Sequence, residues 1–306
     1  VLFGPKPAGH SAMGPWATAL LAGGSCVGLP VLLFLFHRLV LAPLLRYAYP
    51  GIAPLFAWQR LPVIFKEQLT HTDEPIFRLK FGLPEGCQLS ADLSVGEFIR
   101  VKIPGVGVRS YSPTCVHIPG ELELCIKRYE KGRVSAHLCD ANVGDGVLMS
   151  GPYPPFWVPF VRAGKCSRVG LIAFGVGITE ALPLAKIELE RTTSEVCLLW
   201  ASRGPTYVFD SHVIADMQAK FQGRFQVTHL FSRHAGSAHD LRGRLSTEVL
   251  QSVFADWLAE DRRSRFLVVG TKAMKRKGYK LLRQVGFPLK LLKRRPCGCC
   301  CRARTR

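Results

Sequence analysis

Acidic side chains are absent from the carboxyl-terminal end of this 306-residue chain. Between residues 271 and 306 there is no Asp or Glu, whereas thirteen Lys or Arg residues occur there. This segment carries +13 of the formal net charge of +19, so the rest of the chain is only mildly basic. A basic segment suits anionic lipid, an acidic protein or nucleic acid. Because no nucleic-acid recognition motif accompanies the charge, we expect no nucleic-acid partner.

The cysteines lack the spacing of a disulfide framework or of a zinc site. Seven of the eleven are scattered, and none of these seven forms a CxxC pair, which is typical of reduced, mostly buried thiols in a cytosol-facing protein. The other four lie within residues 297–301, too close together to supply four zinc ligands. Palmitoylation and a translation artefact are alternative interpretations of this basic, Cys-rich tail, residues 293–306. The histidines also lack ligand spacing, and no metal site is predicted.

Charge is also absent from residues 13–36, and 16–36 alone is a run of 21 residues. A helix of about 20 apolar residues can cross a bilayer, so we predict a membrane anchor at residues 13–37. A cleaved signal peptide and a buried core helix are the alternatives. Arg and Lys follow the apolar run, which predicts that the bulk of the chain faces the cytoplasm. Residues 38–61 contain three prolines and are predicted to be a linker.

Hydrophobic patterning divides the remainder into two domains. In residues 62–162, apolar and polar residues alternate in short segments separated by Gly and Pro, which predicts an antiparallel β-barrel. In residues 163–292, continuous apolar runs alternate with helical spacing, which predicts an α/β domain with a parallel sheet. The expected fold is therefore a barrel followed by a parallel-sheet domain, with an amino-terminal membrane helix.

Two motifs in the barrel region contain residue types that bind a flavin dinucleotide. The first is Arg-Ser-Tyr-Ser-Pro at residues 109–113, which offers a cation, an aromatic ring and a hydroxyl at a strand end. The second runs from residue 126 to residue 135, where a strand leads through Gly132 to Ser135, a predicted helix N-cap beside a phosphate site. An exposed arginine and a plain helix cap are the structural alternatives.

Two further motifs lie at strand-to-helix junctions of the α/β region. Residues 172–179 read Ile-Ala-Phe-Gly-Val-Gly-Ile-Thr, and residues 268–274 read Val-Val-Gly-Thr-Lys-Ala-Met. Glycines at such a junction let the backbone approach a pyrophosphate, and ligands bind at the carboxyl ends of strands in α/β sheets. Each motif alone is equally consistent with a structural turn.

Taken together and in this order, the four motifs resemble those of the NADH-cytochrome b5 reductase family within the ferredoxin reductase superfamily. That family carries R-x-Y-[ST]-P, I-K-x-Y-x-x-G-x-x-S, G-G-T-G-I-T-P and C-G-P-P-x-M. The chain matches the first two closely and the last two in part, and the resemblance covers residues 62–288.

The resemblance assigns cofactor contacts to individual residues of the four motifs. It places Ser112 and Lys127 near the flavin and the nicotinamide, and it implies no catalytic acid–base pair because the cofactors carry the chemistry. The flavin and its phosphates would be held by Arg109, Tyr111, Ser112, Gly132, Val134 and Ser135. Lys127 and Tyr129 would lie on the flavin and nicotinamide side. The nicotinamide dinucleotide would be bordered by Gly175, Gly177 and Thr179, and Gly270 and Met274 would close that pocket.

The chain departs from the family in the nicotinamide half. Phe174 and Val176 replace Gly and Thr, Glu180 replaces Pro, and Val269 stands where the family has Cys. Thr271 and Lys272 replace two prolines. After the apolar run at residues 196–201, Tyr207 replaces an acidic residue that favours NADH, whereas Ser202 and Arg203 would suit a 2′-phosphate.

The resemblance implies FAD and NADH as cofactors, with NADPH as the alternative. It implies hydride transfer to FAD and the release of single electrons to a heme protein such as cytochrome b5. The membrane would then be the endoplasmic reticulum or the mitochondrial outer membrane. Three alternatives stay open: a degenerate FAD-binding protein without nicotinamide turnover, a tethered binding module without flavin, and the reductase module of a larger oxidase or nitrate reductase.

Overall fold

The computed structural model describes residues 36, 58–84, 97–114, 120–153, 167–233, 237–258 and 264–287. The predicted anchor at 13–37 lies outside these residues except for residue 36, and so do the Cys-rich tail and residues 38–57 of the predicted linker. Among the residues described, no helix has the length and the hydropathy needed to cross a membrane.

The first domain is a six-stranded antiparallel sheet with one short helix. The strand order is β4-β3-β6-β1-β2-β5, and every neighbouring pair is antiparallel. The first strand begins inside the segment predicted as a linker. The elements are β1 (Gln59–Gln68), β2 (Ile76–Gly82), β3 (Phe98–Ile103), β4 (Gly107–Tyr111), β5 (Glu121–Lys127), α1 (Arg133–Asp140) and β6 (Gly146–Tyr153).

The sheet curls so that its two edges enclose one core. Just beyond β4, the backbone N–H of Thr114 donates to the carbonyl oxygen of Glu123 in β5 at 3.1 Å, which brings the edge strands together. The alternation in β2 works as predicted, because Leu79 and Phe81 point into the core and are fully buried. The predicted antiparallel domain is therefore confirmed. Its core includes Leu61, Val63, Leu79, Phe81, Ile99, Val101, Leu122, Leu124, Ile126, Leu138 and Met149.

The second domain is a five-stranded parallel sheet with helices on both faces, as predicted. The strand order is β10-β9-β8-β7-β11. The elements are β7 (Arg168–Phe174), α2 (Ile178–Arg191), β8 (Glu195–Ser202), α3 (Ser211–Lys220), β9 (Phe225–Phe231), β10 (Leu241–Arg242), α4 (Thr247–Val253), α5 (Ala255–Leu258), β11 (Ser264–Val269) and α6 (Lys272–Val285).

One predicted helix of this domain is divided in two. The helical spacing of residues 247–258 predicts a single helix there, but the helix is interrupted at Phe254, between α4 and α5. Phe254 is fully buried, and its ring lies 5.3 Å from that of Trp257 and 5.0 Å from that of Phe266. The interruption therefore coincides with an aromatic cluster that covers one face of the sheet.

The strand order determines where a ligand can enter the second domain. The strands β7, β8, β9 and β10 follow one another in one direction, whereas β11 lies on the other side of β7. The crossover connections therefore leave a crevice outside the carboxyl ends of β7 and β11, which is where open α/β sheets bind their ligands. Both glycine-containing motifs of this domain follow those two strands.

Candidate functional site

The end of β4 presents a cation and a tyrosine side by side. Arg109 is exposed, and its guanidinium donates to the carbonyl of Val108 at 2.8 Å, so most of its donors face solvent. Tyr111 packs partly against the barrel core, and burial raises the pKa of its hydroxyl. Ser112 follows and is partly buried. The neutral tyrosine ring and the free guanidinium are suited to a planar ring system joined to phosphates.

Gly132 and helix α1 form a second possible phosphate contact. Gly132 itself is the N-cap, no side chain caps the helix, and its first turn holds no acidic residue. The uncapped N–H groups of this turn are suited to an anion. A Cβ atom at Gly132 would lie 2.2 Å from the Oγ atom of Ser135 and 2.8 Å from the Cβ atom of Tyr129, so only glycine fits this turn.

The predicted N-cap role of Ser135 is wrong. The helix begins at Arg133, which places Ser135 within the first turn rather than before it. Its hydroxyl donates back to the carbonyl oxygen of Gly132 at 3.2 Å. Val134 and Ser135 are both buried, so their side chains pack inward while their N–H groups remain at the helix start.

On the α/β side, the turn after β7 is held by a buried tryptophan. The indole N–H of Trp200 in β8 donates to the carbonyl oxygen of Gly175 at 2.9 Å. The hydroxyl of Thr179 donates to the carbonyl oxygen of Val176 at 2.9 Å. These two bonds fix the short 3-10 turn at Gly175–Gly177, which leads into α2. Trp200 lies outside the motifs identified in the sequence, so its hydrogen bond to the Gly175 turn was not predicted.

The turn after β11 lies beside the turn after β7. Gly270 has φ +151°, and a Cβ atom there would lie 3.0 Å from the Cβ atom of Phe174. A Cβ atom at Gly177 would lie 3.1 Å from the backbone oxygen of Val269. The structure therefore brings Gly175, Gly177 and Gly270 to the same crevice. Phe174, which departs from the family motif, packs against the core next to Gly270.

The two prolines missing after Gly270 are replaced by a helix cap. The Thr271 side chain accepts a hydrogen bond from the backbone N–H of Met274 at 3.3 Å and so caps α6. Met274 is 41% exposed. Threonine thus favours the helix start through a side-chain hydrogen bond, whereas proline would favour it through its fixed φ.

Charged side chains from both domains meet beside the end of β8. The Oε2 atom of Glu74 lies 2.9 Å from Lys127 Nζ and 2.8 Å from a guanidinium nitrogen of Arg203. Lys127 Nζ lies 5.4 Å from the ring centroid of Tyr129 and 5.5 Å from that of Tyr207. The structure therefore brings Lys127 and Tyr129 of the barrel to the nucleotide side of the α/β domain.

Asp73 belongs to the same cluster. Arg203 donates to its carboxylate at 2.7 Å, and the Tyr207 hydroxyl donates to its other oxygen. These hydrogen bonds, together with the charge of Arg203, lower the pKa of the Asp73 carboxyl below its usual value. Asp73 and Glu74 were not predicted as site residues, because nothing in the β1–β2 turn indicates that it reaches residues about 130 positions away.

An interdomain cavity of ≈ 310 Å³ lies where the barrel meets α2 and α3, and no residue of this cluster lines it. Of the residues predicted to bind a cofactor, Thr179 lines it. Its other polar lining residues include Thr114, Glu123, Asp210 and His212.

The residues present fit a flavin and a nicotinamide dinucleotide. The barrel offers an exposed guanidinium, a tyrosine ring and an uncapped helix start. The α/β domain offers glycine turns at which a side chain would obstruct close approach. Backbone N–H groups and arginine are the donors that dinucleotide phosphates need.

Comparisons with known proteins agree with this geometry. Residues 60–157 match the oxidoreductase FAD-binding domain, and residues 171–278 match the oxidoreductase NAD-binding domain. NADH-cytochrome b5 reductase 1 of Kluyveromyces lactis is 33% identical over 155 residues, which cover 48% of this chain and 53% of that protein. The chain thus spans about half the length of this relative.

Solved structures share the fold. The cytochrome b5 reductase domain of Ulva prolifera nitrate reductase aligns with a TM-score of 0.66 at 19% identity, covering 79% of this chain and 98% of that one. The CS-b5R domains of human Ncb5or in the NAD+ form align with a TM-score of 0.65 at 19% identity, covering 76% of this chain and 67% of that one.

At the level of the family, these matches confirm the predicted oxidoreductase class and the predicted FAD and nicotinamide cofactors. The order of the two domains is the one that the motifs predicted. The chain therefore consists of an oxidoreductase FAD-binding domain followed by an oxidoreductase NAD-binding domain, and it is similar to NADH-cytochrome b5 reductases.

Proposed function

We propose that this chain is a membrane-anchored flavoprotein that uses NADH to reduce FAD and passes single electrons to a heme protein such as cytochrome b5. The observation that carries the proposal is the interdomain cluster: Lys127 and Tyr129 of the FAD-type domain meet Arg203 and Tyr207 of the NAD-type domain. A nucleotide bound at the crevice of the parallel sheet would therefore face the barrel. FAD supplies the conversion between two-electron and one-electron chemistry.

In this account the chain's own residues bind, orient and exclude water. Arg109 and the first turn of α1 hold phosphate oxygens, and Tyr111 and Ser112 contact the flavin ring. Gly175, Gly177 and Gly270 let the backbone approach the second dinucleotide, and Thr179 and Met274 border it. Lys127 is held by Glu74 and the two tyrosine rings, which fixes its ammonium group at the domain interface.

The acceptor is proposed to be an acidic protein because one side of α6 is strongly basic. Lys272, Arg276, Lys280 and Arg283 are exposed and share one face of this helix, whose buried residues Gly278 and Leu282 lie on the other face. The helix contains no acidic residue. Positive charge beside an electron-transfer site attracts and orients an acidic partner.

The anchor is proposed to be residues 13–37, with the two domains on the cytoplasmic side of the endoplasmic reticulum or mitochondrial outer membrane. The uncharged run and the Lys and Arg residues that follow it support this orientation. Carbonate extraction of membranes from cells that express the full chain or a form lacking residues 13–37 tests the proposal. Release of the full chain by carbonate would contradict it.

The proposed activity is tested by following cytochrome b5 reduction by the purified full chain with NADH. We expect turnover that requires bound FAD, and we expect Tyr111→Ala to lower the FAD content of the purified protein. The matched control is Tyr207→Phe, which alters the nucleotide side and leaves the FAD content unchanged. Stable FAD binding without turnover would instead favour the degenerate flavoprotein.

A further inference from the structure

We infer that Asp73 and Glu74, in the turn between β1 and β2, determine the nucleotide preference of the site by withholding Arg203 from a 2′-phosphate. The inference rests on the proposed function and deepens it, because it assigns the choice between NADH and NADPH to two residues of the other domain.

Arg203 occupies the position from which a 2′-phosphate would be bound. It follows β8, the second strand of the parallel sheet, and the pyrophosphate turn follows the adjacent strand β7. In dinucleotide-binding α/β sheets, an arginine beyond the second strand accommodates a 2′-phosphate, whereas a carboxylate there hydrogen-bonds the ribose hydroxyl. Residues 202–207 contain no carboxylate, so this segment alone would favour NADPH.

The structure supplies the carboxylates from the barrel. One terminal nitrogen of Arg203 lies 2.7 Å from Asp73, and the other lies 2.8 Å from Glu74. Both ends of the guanidinium fork are therefore engaged, and a bidentate pair with phosphate cannot form without breaking them. The Tyr207 hydroxyl, another donor in this segment, is also bound to Asp73.

The negative charges of the Asp73 and Glu74 carboxylates also disfavour a 2′-phosphate. Glu74 also pairs with Lys127 Nζ at 2.9 Å, so its carboxylate neutralises the second cation of the cluster as well. A 2′-phosphate placed here would meet two carboxylates at short range, which is unfavourable. An unmodified ribose carries no charge, so the same two carboxylates do not repel it. The cluster therefore accepts NADH and disfavours NADPH.

The competing explanation is that these ion pairs only brace the two domains. Bracing would affect stability but would treat both nucleotides alike. The two explanations are separated by the isosteric double variant Asp73→Asn, Glu74→Gln, which keeps the shape of the turn and removes both charges. Adding Arg203→Leu to this variant removes the guanidinium that would bind the 2′-phosphate. Asp140→Asn is the matched control, since Asp140 pairs with Arg128 on the surface of the barrel.

The experiment measures equilibrium binding of 2′-phospho-AMP and of AMP to the full FAD-loaded chain, together with kcat/KM for NADPH and NADH. We expect the double variant to bind 2′-phospho-AMP at least about tenfold more tightly, while AMP affinity changes less than about twofold. The gain should disappear when Arg203→Leu is added, and the Asp140→Asn control should show none.

Unchanged 2′-phospho-AMP binding in the double variant, with AMP still bound, would overturn the inference and leave the proposed function intact. A wild-type chain that binds 2′-phospho-AMP more tightly than AMP would also overturn it. If neither AMP nor NADH bound the wild-type chain, the proposed function itself would fail, and the inference with it.

Discussion

Arg78 in β2 and Asp210 at the start of α3 form an ion pair that joins the barrel to the parallel-sheet domain. Among the residues that the structure describes, Asp210 is the one non-glycine residue with a positive φ, at +54°. It stands at the N-cap of α3, but its side chain does not cap the helix. Instead it reaches Arg78, which also lies 2.7 Å from Glu67 and 3.5 Å from Glu123. One arginine thus pairs with three carboxylates at the domain interface.

Replacing Arg78 with Met should destabilise the protein substantially. Glu123 is 8% exposed, and without Arg78 both its carboxylate and that of Asp210 would lose this counter-ion. Breaking a largely buried ion pair from one side typically costs about 3 kcal/mol or more. Urea denaturation followed by tryptophan fluorescence measures the free energy of unfolding.

Arg128→Met is the matched control for this change. Its partner Asp140 is 58% exposed, and pairs of this kind contribute about 0–1 kcal/mol. Equal losses for Arg78→Met and Arg128→Met would show that the interface network has no special role.

Trp200→Phe should loosen the Gly175 turn. The substitution keeps an aromatic ring in the core but removes the indole N–H that bonds the Gly175 carbonyl oxygen. An unsatisfied carbonyl of this kind costs about 1–2 kcal/mol, and a looser turn should weaken nucleotide binding. Trp257→Phe, in the aromatic cluster away from the turn, should lower stability without changing the affinity for AMP. The same AMP affinity in both variants would refute the role of Trp200.

Stability should fall on mild acidification because of His229. Burial beside the rings of Trp200 and Phe231 lowers the pKa of His229 below its ordinary value of 6.5. The unfolded chain therefore takes up a proton at a pH where the folded protein does not. The contribution is fully present above pH 6.5 and is lost as the pH falls towards the lower folded pKa.

His229→Phe should accordingly reduce the loss of unfolding free energy between pH 7.5 and pH 5.5. The exposed His239→Gln is the control and should retain the pH dependence of the wild type. Identical pH profiles for His229→Phe and the wild type would contradict the assignment to His229.

Charge reversal on α6 should weaken the encounter with an acidic acceptor. For Arg276→Glu with Lys280→Glu, we expect the KM for cytochrome b5 to rise at least about fivefold at low ionic strength, with little change in NADH-dependent flavin reduction. Raising the salt concentration should diminish the difference, since it screens surface charge. Lys220→Glu, on α3, serves as the control, and an equal effect there would argue against a specific docking face.

Local patterns in the sequence predicted much of the architecture. Apolar and polar residues alternate in β2 because one face of this strand is buried, whereas β7 and β8 are continuously apolar because both of their faces are buried. The spacing of apolar residues in the sequence predicts both patterns. The two-residue strand β10 was not predicted, because so short a segment has no measurable period.

The site was predicted less completely than the fold. The glycine turns were identified from their position at strand ends, whereas the cap at Gly132 was misplaced at Ser135 because Ser is the commoner cap residue. The pairs of Arg203 with Asp73 and of Arg78 with Asp210 join residues more than 125 positions apart. No local pattern encodes such pairs, so they emerge only from the packing of the two domains.

Mixing the purified full chain with NADH in the absence of oxygen, while recording the visible spectrum, tests whether the nucleotide reduces the bound FAD. We expect a yellow protein whose flavin absorbance bleaches within milliseconds to seconds, and faster with NADH than with NADPH. A yellow protein that fails to bleach with either nucleotide, or a folded protein that cannot be loaded with FAD, would contradict this expectation.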